Sequence, residues 1–177
     1  MSTTGDPRPL TSEPLSLDLV NTVWGEHGER RDLLSEEGGL PLWLDAHDLD
    51  VPANGRVRAA LIEAREAMRA FLVEPADPAV RARLDAVLAR GAERTRLGRG
   101  GVEREVDVAA TWRVPWLAAV ELVRLQQEQS ERIRPCANPD CVLWFLDVSR
   151  PGKRRWCSMA GCGNREKARR HYVSTSA

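Results

Sequence analysis

The sequence predicts a mainly α protein in two parts. A helical N-terminal body over residues 1–130 carries a minor strand element, and a small module over 131–177 is a β-hairpin and a helix gathered by four cysteines. Three observations predict this. Apolar residues recur at helical spacing through most of the first 130 positions. All four cysteines lie beyond residue 135. Charge is segregated: from Ser130 to Ala177 ten basic and four acidic residues leave +6, and the remainder carries −6 in a chain of formal net charge +0.

Taken in order, Ser12 or Ser16 is expected to cap a segment in which Leu17, Val20 and Trp24 share a helical face, although Leu15, Leu17 and Leu19 also alternate as in a strand. Leu40 to Asp48 reads as a short helix bearing Trp43. Arg56 to Val73 is the clearest helix, because Val57, Leu61, Ala64, Met68 and Phe71 or Leu72 form one stripe. Asp77-Pro78 starts another, with Val80, Leu84, Val87 and Leu88 inward and Gly91 as its stop. After a turn at Gly98 to Gly101, Val102, Val106 and Val108 alternate with Glu103, Glu105 and Asp107, the pattern of a strand with one exposed face. Trp116, Val120 and Val123 drive a last body helix to about Ser130, and Glu131 to Pro135 is a linker. The body's core is expected to be separate from that of the module.

Composition narrows the class. At 177 residues a chain can bury a real core without staples. A 42% hydrophobic and 29% charged composition argues against wholesale disorder. No apolar run approaches the ~18 residues of a spanning helix, so no membrane association is expected. The opening MSTTGDPRPL lacks the basic-then-apolar pattern of an export signal, and a cytoplasmic location is expected.

The cysteines Cys136, Cys141, Cys157 and Cys162 form two close pairs, each with four residues between its members, and fifteen residues separate the pairs. Two such pairs around a hairpin-length segment are the usual spacing of a structural site for one zinc ion held by four thiolates. Two disulfides are the alternative, disfavoured in a reducing compartment. Between the pairs, Val142 to Leu146 is β-prone, Arg150-Pro151-Gly152-Lys153 is a turn signal, and Arg154-Arg155-Trp156 leads back as the second arm of a hairpin. Gly163 to Val173 looks helical, with Ala168 and Tyr172 inward. Knuckle, hairpin, knuckle and helix make a treble-clef-like order, and four thiolates leave no open position for substrate.

The residues then carry a resemblance. Cys136-Ala137-Asn138-Pro139-Asp140-Cys141, Phe145 to Arg150, and Lys153 to Arg165 with its literal Cys162-Gly163-Asn164-Arg165 resemble the bacterial CGNR zinc-finger family. Leu17-Asp18-Leu19-Val20-Asn21-Thr22 resembles the opening of the ABATE domain that usually precedes this finger. One departure is Val142-Leu143, where the family more often has glycine after the second cysteine. The resemblance implies a transcription regulator.

Basic residues surround the expected metal. Lys153, Arg154 and Arg155 at the hairpin tip, with Arg165, Lys167, Arg169 and Arg170 on the final helix, make a footprint suited to duplex phosphates. For Arg165 a bracing role at the zinc loop is an equal expectation, and Asn164 reads as a knuckle brace. Trp156 reads as cover for the metal and Trp144 as core or a stacking residue. No enzyme is expected: His27, His47 and His171 are scattered, and no nucleophile triad, phosphate-binding glycine motif or HExxH is present. Asn21 is either a buried hydrogen-bonding residue or part of a small-molecule pocket in a sensor body, and Trp24, Trp43, Trp112 and Trp116 read as core. The leading function is a zinc-dependent DNA-binding regulator, with a small-molecule effector or a homodimer contact on the body. An RNA-binding module and a zinc-stapled protein-interaction module are the other classes.

Overall fold

The computed structural model describes residues 5–26 and 28–175, and no side chain at position 26 or from 170 onward. The readings made for His27 and for the side chains of Arg170, His171 and Tyr172 lie outside the described residues.

The fold is mainly α. Helix α3 (Gly55–Val73) begins where the Asn54 side chain accepts from the N–H groups of Arg56 and Val57, both at 3.0 Å. Its stripe of Val57, Leu61, Ala64, Met68 and Leu72 is buried as the periodicity predicts. Each large apolar side chain on such a stripe contributes about 1.5–3 kcal/mol by leaving water. Helix α4 (Pro78–Leu88) starts on an Asp77 cap with proline in its first turn, and it buries Leu84 and Val87. Helix α2 (Gly39–Ala46) carries the buried Trp43. Helix α5 (Arg113–Gln129) turns Val114, Ala118, Ala119 and Leu122 inward and leaves Val120 and Val123 only half-buried. The small pair Ala118/Ala119 sets that face, because α5 packs against α1 (Leu15–Val20), α3 and α4.

Several expectations change. Helix α1 stops at Val20, and Trp24 sits instead on strand β1 (Val23–Glu26), paired antiparallel with β2 (Glu29–Asp32). The helical period is broken by Thr22, whose hydroxyl donates to the Leu19 carbonyl at 2.7 Å. Neither Ser12 nor Ser16 caps α1; the N–H and hydroxyl of Ser16 both donate to Glu121, at 2.7 and 2.8 Å. Gly91 does not stop α4. It opens β3 (Gly91–Gly98), where an added Cβ would lie 3.0 Å from the Trp116 ring. That ring closes the end of α4 by donating from Nε1 to the Leu88 carbonyl at 2.9 Å. The expected strand is β4 (Gly101–Val108), and its partner β3 is a charged run with no alternation to announce it.

The core does not divide at the end of the body. One continuous apolar cluster runs from Leu17, Trp43 and Leu61 through Leu122 to Leu143, Phe145 and the ligand cysteines. The expectation of separate cores fails because the module's hairpin packs directly on α1 and α5. Among the described residues no helix is long and apolar enough to cross a membrane.

Two buried polar clusters fix the body beneath this seam. Asp18 accepts from Arg8 at 2.6 Å and from the Trp43 indole at 2.9 Å, with His47 Nε2 also at 2.9 Å. Asp32 receives a bidentate fork from the buried Arg65, at 2.6 and 2.8 Å. Burial alone would raise both carboxyls, but bonds from His47 and Arg8 hold Asp18 below the usual carboxylate range, and bonds from Arg65 do the same for Asp32. A depressed folded-state value stabilises above the unfolded value, about 4, and is lost as pH falls through the folded one. Asp32→Asn should therefore cost about 1–3 kcal/mol at pH 7, because it takes the bidentate carboxylate from the buried Arg65 and leaves it with Glu66 at 3.1 Å and the Thr22 hydroxyl at 3.0 Å. The gap to wild type, read from urea midpoints, should shrink steadily below about pH 4.

Candidate metal centre

The first cysteine pair sits on a hairpin turn. Strand β5 (Ile133–Pro135) ends just before Cys136, and β6 (Trp144–Leu146) follows Cys141. The Cys136 N–H donates to the Leu143 carbonyl and the Cys141 N–H to the Asn138 carbonyl, each at 2.9 Å. The knuckle thus closes with Val142-Leu143 leading from Cys141 into β6. The second pair is shaped by Ser158, whose hydroxyl accepts from the Gly161 N–H at 3.0 Å. A π-helical turn over Met159–Gly163 then places Cys162 just before helix α6 (Asn164–Thr175). The two knuckles are tied by the Ala137 N–H donating to the Arg155 carbonyl at 2.8 Å.

The four Sγ atoms lie within 4.8 Å of one another. Cys141 and Cys157 are 3.8 Å apart, and Cys157 and Cys162 3.6 Å. A tetrahedral zinc with Zn–S bonds of about 2.3 Å needs sulfurs about 3.8 Å apart, so the donor set fits one zinc ion. N–H donors converge on the same sulfurs: Cys157 N–H on Cys136 Sγ at 3.4 Å, Asn138 Nδ2 on Cys162 Sγ at 3.4 Å, and Arg165 Nη2 on Cys162 Sγ at 3.3 Å. Four thiolates exceed the charge of a divalent ion by two, and these donors offset the excess. The hydrogen bond between Cys136 and Cys141 holds the Cys136 thiol well below its usual range and pushes the Cys141 thiol above it. With every position filled by protein, the zinc is structural.

Each residue of Cys162-Gly163-Asn164-Arg165 has a physical task. Cys162 is a ligand. Gly163 leaves room for Met159, whose sulfur would lie 2.8 Å from an added Cβ. The Asn164 amide reaches back to the Ala160 carbonyl at 3.4 Å, the bracing role expected of it. Arg165 bonds the ligand sulfur itself, which raises the pKa of its guanidinium.

The hairpin is not the expected one. Arg154 to Trp156 forms no strand, and β6 pairs with β5, which occupies the expected linker. The physical reason is that the other edge of β6 is covered by the body. Asn21, fully buried, donates to the Trp144 carbonyl at 2.8 Å and accepts from the Trp144 N–H at 3.0 Å. Glu13 accepts from the Leu146 N–H at 2.8 Å. Of the two readings of Asn21, the buried hydrogen bond describes this geometry.

The basic residues separate into two groups. Lys153, Arg155, Lys167 and Arg169 are exposed. Arg155 stacks on Trp156 at 5.1 Å, and Arg169 pairs with Glu166 at 3.0 Å. Arg154 departs from the expectation of a phosphate contact: it turns inward, 4.2 Å over the Phe145 ring, donates to the Trp156 and Cys157 carbonyls, and faces Glu13 at 3.5 Å. Ala168, expected inward, is exposed. Sequence reasoning missed Asn138, Ser158, Glu13 and Asp147. Asn138 and Ser158 were signalled by turn-forming residues beside ligand cysteines. Asp147, buried, accepts from the Ser149 hydroxyl at 2.6 Å and the Arg154 N–H at 2.9 Å and so pins the tip loop. Nothing local marks Glu13.

Purified protein should carry one zinc per chain, and Cys136→Ser or Cys162→Ser should release it. Arg165→Ala and Asn138→Ala should keep the ion but lower its affinity about 10- to 100-fold, measured by chelator competition.

The CGNR zinc-finger family model matches residues 132–173. The ABATE family model, described as a putative stress-induced transcription regulator, matches residues 13–129. Neither is an enzyme family by its description. No curated protein matches the chain. With more than half of its residues inside the second match and a CGNR zinc finger after it, the chain belongs to the ABATE family.

Proposed function

We propose that this chain is a DNA-binding transcription regulator that meets duplex phosphates with the surface around its structural zinc. One observation carries the reading: four exposed cations, Lys153 and Arg155 on the tip loop and Lys167 and Arg169 on α6, flank a metal centre that has no open coordination position. The tip cations border an open groove of about 630 Å³ that Trp156 and Met159 also line. A zinc site of this kind fixes two short segments rigidly against each other, so cations on both reach one backbone in a set register. Residues 131–177 are then the reader, and residues 1–130 the part that takes an effector or a second copy.

The test is salt-dependent binding of the full zinc-loaded chain to duplex DNA, single-stranded DNA and RNA side by side. Lys153→Gln and Arg155→Gln should each weaken duplex binding and flatten the log-affinity versus log-salt slope by about 0.9, with zinc content unchanged. Arg154→Gln should instead lower thermal stability, since it removes bonds to two carbonyls beside a ligand. Tip variants that bind duplex as wild type does at every salt concentration would rule out the reading. Preference for RNA or single strand would move it to the RNA-binding class.

A further inference from the structure

The β1–β2 hairpin of the body touches the first zinc knuckle. Gly25 of β1 packs so close to Asp140, between the first two ligands, that an added Cβ would lie 3.3 Å from the Asp140 carbonyl oxygen. Gly25 is paired in register with Arg30 of β2. That approach brings Arg30 to the finger. Arg30 and Arg165 line one cleft of about 440 Å³ at the seam, together with Glu29, Asp140 and Val142.

The two arginines are differently placed in energy. Arg165 has one donor on the Cys162 sulfur and four left over. Arg30 is exposed, and among the described residues no carboxylate pairs with it. Its neighbours in sequence and space are engaged: Arg31 with Glu36 at 2.8 Å, and Arg65 with Asp32 at 2.6 Å. A guanidinium fork matches the two free oxygens of a phosphodiester.

We propose that Arg30 and Arg165 together hold the sugar–phosphate backbone of duplex DNA, so that the nucleic-acid surface crosses the seam from the finger onto the body. This rests on the DNA-binding reading above and extends it to a body residue. The carboxylates of Glu29 and Asp140 leave the cleft without net charge. It therefore gives little hold on a free anion and engages a strand already carried there by Lys153, Arg155, Lys167 and Arg169.

The experiment compares full-length zinc-loaded wild type, Arg30→Gln, the double variant Lys153→Gln/Arg155→Gln, and Arg83→Gln as a control on the exposed side of α4. Each is titrated with a 20-base-pair duplex across a salt series. Arg30→Gln should flatten the log–log slope by about 0.9 and weaken binding at low salt, while zinc content and melting temperature stay at wild-type values. Arg30→Glu should weaken binding further, and Arg83→Gln should change nothing. If Arg30→Gln keeps the wild-type slope while the double variant loses affinity, the finger binds DNA without the body and this inference is overturned alone. If neither variant changes the slope, the DNA-binding reading falls and takes this inference with it.

Discussion

The structure depends on how strand β6 is completed. A strand in a two-stranded hairpin has one unpaired edge, and buried N–H and C=O groups on that edge cost free energy unless they are bonded. Here the body supplies the missing partner with side chains. The Asn21 amide takes both the N–H and the C=O of Trp144, and Glu13 takes the Leu146 N–H. The contact is as directional as a backbone ladder but needs no third strand. It also explains why Arg154 to Trp156 runs past as an irregular segment: the edge it would have joined is occupied. Arg154 then becomes a strut between Phe145, the Cys157 carbonyl and Glu13.

That seam gives a polar motif of the body its meaning. In Leu17-Asp18-Leu19-Val20-Asn21-Thr22, the apolar residues enter the core and every polar one has a partner. Asp18 gathers Arg8, Trp43 and His47, Asn21 holds β6, and Thr22 turns the chain and accepts from Arg65 at 3.0 Å. A six-residue segment thereby links the deepest body helix to the finger. The first zinc knuckle lies at the turn of the same hairpin, so metal geometry and body packing share one element.

Ligand chemistry was the most legible layer. Zinc needs a few residue types at short spacings, and Cys136, Cys141, Cys157 and Cys162 announce themselves without tertiary context. Helices α3 and α4 were equally plain, because a buried stripe at helical period and, for α4, the Asp77-Pro78 start are local signals. The hairpins β1–β2 and β3–β4 were not, apart from β4. Glu29-Arg30-Arg31-Asp32 and the arginine-rich β3 carry no alternation, and they are strands only because a partner runs beside them. The same limit hid the sorting of Lys153-Arg154-Arg155. Three adjacent cations look alike in sequence, and only the positions of Phe145 and Glu13 decide that the middle one turns inward.

The central claim is that finger and body form one cooperative unit through the Asn21–Trp144 pairing. Hydrogen–deuterium exchange of the full chain, with zinc and after chelation, tests it most directly. Peptides covering α1 and the adjoining face of α5 should lose protection together with β5 and β6 when zinc is removed, since the core is continuous across the seam. Unchanged exchange in α1 and α5 while the finger becomes unprotected would contradict the account.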